Sequence, residues 1–272
     1  MSEFLPVVLV HGIRLSGAAW TMVADRIADT HPVIAVDLPG HGRRRGEKFT
    51  LAAAAETVTA AIDSVGGRAV VVGHSLGGYV SIAAAAAAPD AVAGLVVAGS
   101  TCVPSRSLML PFSVMHRVLS RQSDGGQRTS ARLFDAMLPE PVAVAVSGAG
   151  IATEVIPDVV AELGRFDVLG ALGSHPGPVW LINGRHDHLR VHERRFVRAC
   201  RAGRLSVVPR AGHYLPLADP ERFVDIVLEA ATGAEQLHRR SRNPTSGNCS
   251  CTTSTFVART TPGTKSADCV TR

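Results

Sequence analysis

No apolar run in this 272-residue chain approaches the roughly 18 residues that a membrane-spanning helix needs. The opening stretch, MSEFLPVVLV, passes almost at once into a strand-like run. It lacks the basic n-region and cleavage site of a secretory signal. The expectation is a cytoplasmic body without a membrane span. Lysine is nearly missing, with two of the 28 basic residues; beside the abundant alanine, we read this as coding bias. Five cysteines are present. Cys102 and Cys200 lie far apart, and Cys249, Cys251 and Cys269 sit near the end. An odd count without regular spacing does not make a disulfide framework, and C-x-C is too short for a zinc knuckle. Reduced, unpaired thiols are expected. There is no phosphate loop and no dinucleotide fingerprint after a strand. The formal charge of +5 invites a nucleic-acid reading, but residues 235–272 carry six basic and two acidic side chains and so +4 of that charge. The remaining body is close to neutral and has no phosphate-binding footprint. No nucleic-acid partner is expected.

What the chain does have is apolar material for a sizeable core, 46% of its residues, in a regular alternation. Short β-branched runs at 7–10, 33–36, 69–72, 95–98, 179–183 and 205–208 are separated by helical patterns at 18–29, 51–64, 76–88, about 189–202 and 220–231. Near-continuous apolar strands alternating with helices predict a parallel sheet covered on both faces. One gap breaks the rhythm, between the fourth and fifth runs. It contains helical candidates at 108–121, 127–137, 141–147 and 154–169, punctuated by prolines. A long insertion at a sheet edge reads as a lid, with a plain structural layer as the alternative. The expected division is therefore a core of 1–100 plus 176–233 and a helical cap of 101–175. Residues 234–272 read as a Ser/Thr-rich, aperiodic, disordered or loosely packed tail.

The chemistry concentrates at strand ends. "VVVGHSLGGYV" at 70–80 sets Ser75 between Gly73 and Gly77, with a strand before and a helix after. In that context G-x-S-x-G is a nucleophile elbow. The helix from Leu76 directs free N–H groups and its positive dipole end toward the serine, which favours an oxyanion there. A serine hydroxyl needs a base to take its proton. His213 follows the last predicted strand and Asp187 the fifth. Both thus lie beyond the carboxyl ends of parallel strands, where open α/β sheets bind ligands.

With these motifs in place the chain resembles the α/β-hydrolase-fold serine hydrolases over residues 5–232. The resemblance rests on "VVLVHGIRLSGAAW" (7–20), "VIAVDLPGHGRR" (33–44), "GHSLGG" (73–78), "NGRHDHL" (183–189) and "AGHYLPLADPERF" (211–223). It implies Ser75 as nucleophile, His213 as general base and then acid, and Asp187 as the residue that holds the imidazole. It implies an oxyanion hole from the backbone N–H groups of Ile13 and Leu76, with His11, Gly12, Gly73, His74 and Gly77 in support. Six strands in the order 2-1-3-4-5-6 are expected, because the chain opens on what would be the third strand of many relatives. No metal and no organic cofactor is implied; the partner is a small, largely apolar molecule, and oligomeric state is open. The implied reaction is hydrolysis of a carboxylic ester or related acyl bond. C–C bond, lactone or thioester hydrolysis and cofactor-free perhydrolysis are alternatives on the same triad, and a non-catalytic binding module is a further one.

Two departures from the family pattern stand out. The common GHGxS stretch reads GHGRRRG, so Arg43, Arg44 and Arg45 replace the serine's neighbourhood. They read as a solvated face or as a greeting for an anionic substrate. "VVAGSTCVPS" at 96–105 has no carboxylate, which leaves Asp187 as the acid. His11 reads as a structural hydrogen-bonder, Asp37 as a loop brace, His41, His186 and His188 as loop residues, and Trp20 and Trp180 as core. In H-D-H at 186–188, alternating side chains should point apart, which argues against a shared ion. For most of Leu108, Met109, Leu110, Phe112, Met115 and Leu119, core packing is expected, with an acyl pocket as the alternative.

Overall fold

The computed structural model describes residues 4–242. Six strands form one sheet: β1 (Val7–Val10), β2 (Val33–Val36), β3 (Ala69–His74), β4 (Val92–Ala98), β5 (Pro178–Gly184) and β6 (Ala202–Val208). Their order is β2-β1-β3-β4-β5-β6 and every neighbouring pair is parallel, as expected. Side chains alternate across the pleat. Val8, Val10, Val71, Leu95, Val97 and Leu181 enter one core layer, and Val7, Leu9, Val70, Val72, Val96 and Ile182 enter the other. Because both faces are covered, the strands read as unbroken apolar runs. The two edge strands are less covered: along β2 only Val36 is buried, and along β6, which carries Arg204 and Ser206, only Val208 is.

Helices α2 (Leu51–Ser64), α3 (Leu76–Ala87) and α9 (Glu193–Ala199) pack on the first layer. Helices α1 (Thr21–Ala28) and α11 (Pro220–Arg242) pack on the second. The insertion after β4 is helical: α4 (Arg106–Leu119), α5 (Gln127–Met137), α6 (Glu140–Ala149), α7 (Ile156–Leu163) and α8 (Val168–Ser174). The single pattern at 154–169 is thus two helices, parted by Gly164 and capped anew by Asp167, whose carboxylate accepts from Gly170 N–H. α8 packs against α3 and α9, so its Val168 and Leu172 belong to the sheet's own helical layer. A short α10 (Leu215–Ala218) precedes α11.

The expected end of regular structure near Gly233 is corrected. α11 continues to Arg242. Gly233 is a packing glycine, not a stop: a Cβ there would press on the Trp180 ring at 3.0 Å. Beyond it Ala234 is buried, and Glu235 accepts a hydrogen bond from Leu5 N–H at 2.9 Å. The rest of the tail expected over 234–272, residues 243–272 with Cys249, Cys251 and Cys269, lies outside the described residues.

Candidate active site

The strand order reverses between β1 and β3, and the loops leaving these strands part there to form the crevice in which open α/β sheets bind ligands. Ser75 sits at the tip of β3 with φ +54° and ψ −117°, a sparsely populated backbone state for a residue with a Cβ. Its surroundings hold it there. Ser75 N–H donates to the Ala98 carbonyl at 2.9 Å, and the Ser75 carbonyl accepts from Gly78 N–H at 2.9 Å and from Ser100 Oγ at 2.8 Å. The flanking glycines are spatial requirements. A Cβ on Gly73 would fall on the Gly77 carbonyl, and one on Gly77 would fall on the Val10 carbonyl.

The expected trio meets. His213 Nδ1 lies 3.0 and 3.1 Å from the two Asp187 carboxylate oxygens, and His213 Nε2 lies 3.1 Å from Ser75 Oγ. A carboxylate only accepts, so Nδ1 carries the imidazole proton and donates it. Nε2 is then the acceptor for the Ser75 hydroxyl. Asp187 is buried, and its Oδ1 also accepts from Leu189 N–H at 2.8 Å. Burial pushes the Asp187 carboxyl up. The hydrogen bond and charge of His213, the Leu189 amide and His188 outweigh that and hold it below the usual aspartate range.

The supporting residues fall into two groups. His74 Nε2 donates to the His213 backbone carbonyl at 2.9 Å, so the residue before the serine pins the loop that carries the histidine. Burial, followed by the nearby His213, lowers its pKa to about 3, and it stays neutral. His11 joins the β1 and β2 loops: its Nε2 accepts from Leu38 N–H at 3.1 Å and its Nδ1 donates to the Gly12 carbonyl at 2.9 Å. Burial, then His41, lowers its pKa to about 3. Gly12 abuts the serine, since a Cβ there would lie 3.3 Å from Ser75 Cβ. Ile13 and Leu76 line a narrow apolar recess with Ser75, and Leu76 begins α3, so its N–H has no acceptor within the helix. Asp37 braces its loop as expected, accepting from Gly17 N–H at 2.7 Å and from Arg43 N–H and Nε.

Two expectations change. Alternation sets His186 and His188 apart from Asp187, and both are exposed. His188, though, turns back: its Nδ1 is 3.9 Å from Asp187 Oδ1 and its ring stands 4.9 Å from that of His213. Asp187, His188 and His213 present possible ligand atoms within 4.8 Å of one another. Those of Asp187 and His213 are already joined by a hydrogen bond. The cap side chains also differ. Leu108, Phe112 and Met115 line a cavity of about 460 Å³ over Ser75 and His213, and Met109 and Phe112 line the narrow recess. Leu110 faces solvent and Leu119 is buried. The helical period gives α4 an inward stripe, which sequence alone could not aim.

Sequence reading missed Arg14, Tyr214 and Leu133 as cavity walls. Tyr214 stands edge-on to His213, with centroids 5.2 Å apart. Its adjacency to His213 was the available signal. Arg14 directly follows His11-Gly12-Ile13, but nothing local marks it as a cavity wall, whereas Arg43, Arg44 and Arg45 stand out as a run. Those three are ion-paired with Asp37, Glu47 and Glu154 respectively.

Comparison with known proteins agrees with this architecture. The chain is 28% identical over 247 residues to the pimeloyl-[acyl-carrier protein] methyl ester esterase of Nitrosomonas europaea, covering 80% of this chain and 92% of that protein. It is 41% identical over 93 residues to lipase LipV of Mycobacterium tuberculosis, about a third of each chain (34% and 35%). Among solved structures, a thermophilic esterase from Thermogutta terrifontis superposes with a TM-score of 0.68 at 25% identity, covering 86% of this chain and 92% of the other. E-2-(acetamidomethylene)succinate hydrolase superposes with a TM-score of 0.71 at 22% identity, covering 83% and 90%. The alpha/beta hydrolase family matches residues 7–226, from the first residue of β1 into the last helix, and the chain belongs to that family.

Proposed function

We propose that the protein is a serine hydrolase that cleaves a carboxylic ester or related acyl bond of a small, largely apolar substrate. The observation that carries this reading is the continuous hydrogen-bonded line from Ser75 Oγ through the His213 ring to Asp187, with Ser75 and His213 lining a largely apolar cavity. The esterase relatives support it. In this reading Ser75 Oγ attacks the acyl carbon as its proton passes to His213 Nε2, and Asp187 stabilises the imidazolium. The oxyanion meets the N–H groups of Ile13 and Leu76. His213 returns the proton to the leaving oxygen. It then draws a proton from water as the water oxygen attacks the acyl carbon, and passes that proton to Ser75 Oγ as the bond between Oγ and the acyl carbon breaks, so the acid leaves and the serine hydroxyl is restored.

Turnover of 4-nitrophenyl butyrate by wild type and Ser75→Ala tests this. The variant should lose activity by about 10³-fold or more, and a fluorophosphonate probe should label wild type at Ser75 alone. Equal rates in the two proteins would sink the reading.

A further inference from the structure

Arg14 is 4% exposed, yet it forms part of the wall of the cavity over Ser75. Its backbone is left-handed, with φ +68°, and its carbonyl is anchored by Ala152 N–H at 3.0 Å. One guanidinium nitrogen, Nη1, donates to Ser130 Oγ at 3.2 Å. The guanidinium carbon lies 5.2 Å from the Phe134 ring centre, and Phe134 packs edge-on against Tyr214, the neighbour of His213. Nε is buried without a hydrogen-bond partner. No carboxylate among the described residues pairs with Arg14, whereas Arg43, Arg44 and Arg45 each have one.

A guanidinium stays charged, and a buried charge without a counter-charge is costly. Ser130 and Phe134 orient the group without neutralising it. With Nη1 committed, the free edge is the one made by Nε–H and Nη2–H. Two parallel donors on that edge match the two oxygens of a carboxylate. The rest of the cavity wall is largely apolar (Leu15, Leu108, Phe112, Met115, Leu133, Met137), which suits a hydrocarbon spacer. We propose that Arg14 is a carboxylate-binding subsite, and that the substrates are esters whose acyl or alcohol part carries a second, distal carboxylate. The proposal deepens the serine-hydrolase reading and rests on it for the word ester; the anion subsite stands on Arg14 itself.

Two measurements test it. The first compares kcat/KM for 4-nitrophenyl hydrogen adipate with that for 4-nitrophenyl methyl adipate, and repeats the pair with suberate. Wild type should favour the acid by about 10- to 100-fold at one of the two lengths, the worth of hydrogen bonds between charged groups. Arg14→Met should bring the ratio near one, and Arg14→Lys, which keeps the charge and loses the fork, should fall between. A ratio unchanged by Arg14→Met overturns the subsite, because a merely structural arginine would lower both esters alike. The second is calorimetric titration of Ser75→Ala, which needs no turnover, with monomethyl and dimethyl adipate and the suberate pair. Tighter binding of the acid by about tenfold or more supports the subsite. It does so even if wild type hydrolyses none of these esters, in which case the hydrolase reading alone fails. Equal binding of acid and diester at both lengths overturns the subsite even if hydrolysis proceeds, and neither wild type nor Ser75→Ala depends on how the Arg14 variants fold.

Discussion

Asp187 reaches His213 because its own loop is tied down. Its N–H donates to the Gly184 carbonyl at 3.0 Å, and its carboxylate is split between the Leu189 amide and the imidazole. Both bonds ask for an acceptor, and an amide in place of the carboxylate would offer only one accepting oxygen. Asp187→Asn should therefore let the ring adopt the other tautomer, with the proton on Nε2 facing Ser75. On the proposed mechanism kcat for 4-nitrophenyl butyrate should drop about 10⁴-fold, with little change in melting temperature. A loss under about tenfold would mean that Asp187 packs beside His213 without orienting it. The residues around this line were unevenly visible in the sequence. Ser75, Asp187 and His213 could be chosen because each follows a strand. His188 and Arg14 could not, since their aim depends on backbone turns at single residues.

At the scale of elements, the site depends on how closely α3 approaches β1. Gly77 lies in the first turn of α3 directly against the Val10 and His11 carbonyls. Gly77→Ala would drive a methyl group into backbone that is itself held by the sheet. The neighbour cannot swing aside as a flexible side chain would. The variant should lose about 3 kcal/mol or more of stability, or fail to accumulate as folded protein. A urea midpoint equal to that of wild type would show that β1 and α3 can separate freely. α4 illustrates the opposite case, an element that tolerates a local offence. Pro111 stands inside it, where sequence reading treats proline as punctuation. The helix starts at Arg106, so the proline removes one hydrogen bond near the N-terminal end, on a half-exposed cap. The ring is used as cavity wall.

For the whole molecule, burial of neutral histidines predicts sensitivity to acid. Burial is the first cause that lowers His11 and His74 to about 3 and His41 to about 4, from an ordinary 6.5. The unfolded chain takes up these protons near 6.5 and the folded chain does not. Stability is therefore whole above that pH and falls as pH drops toward 3 to 4. Each proton difference is worth about 1.4 kcal/mol per pH unit, so three together give a slope of about 4 kcal/mol per unit. Asp187, with its lowered carboxyl, adds a loss in the same direction further down, below the ordinary aspartate range. Against a typical total of about 5–15 kcal/mol, the protein should unfold cooperatively between about pH 6 and 3. Urea midpoints followed by circular dichroism from pH 7 to 4.5 check this. A midpoint that holds steady over that range would mean that these rings become hydrated or protonated within the fold.

Period and punctuation in the chain determined the parallel sheet and the rim on which Ser75, Asp187 and His213 sit, and the family resemblance implied its strand order. The sheet and the rim are consequences of local pattern: apolar runs that must be covered on both faces, crossovers of one hand, and glycines where backbone needs room. Tertiary structure decided what local pattern cannot carry. It ran α11 past Gly233, because only the Trp180 ring on a distant strand explains that glycine. It turned one stripe of α4 over the serine. It paired three conspicuous arginines and left Arg14, in the cavity wall, without a carboxylate partner among the described residues. Such outcomes rest on contacts between residues far apart in sequence, for which a linear pattern holds no distance information.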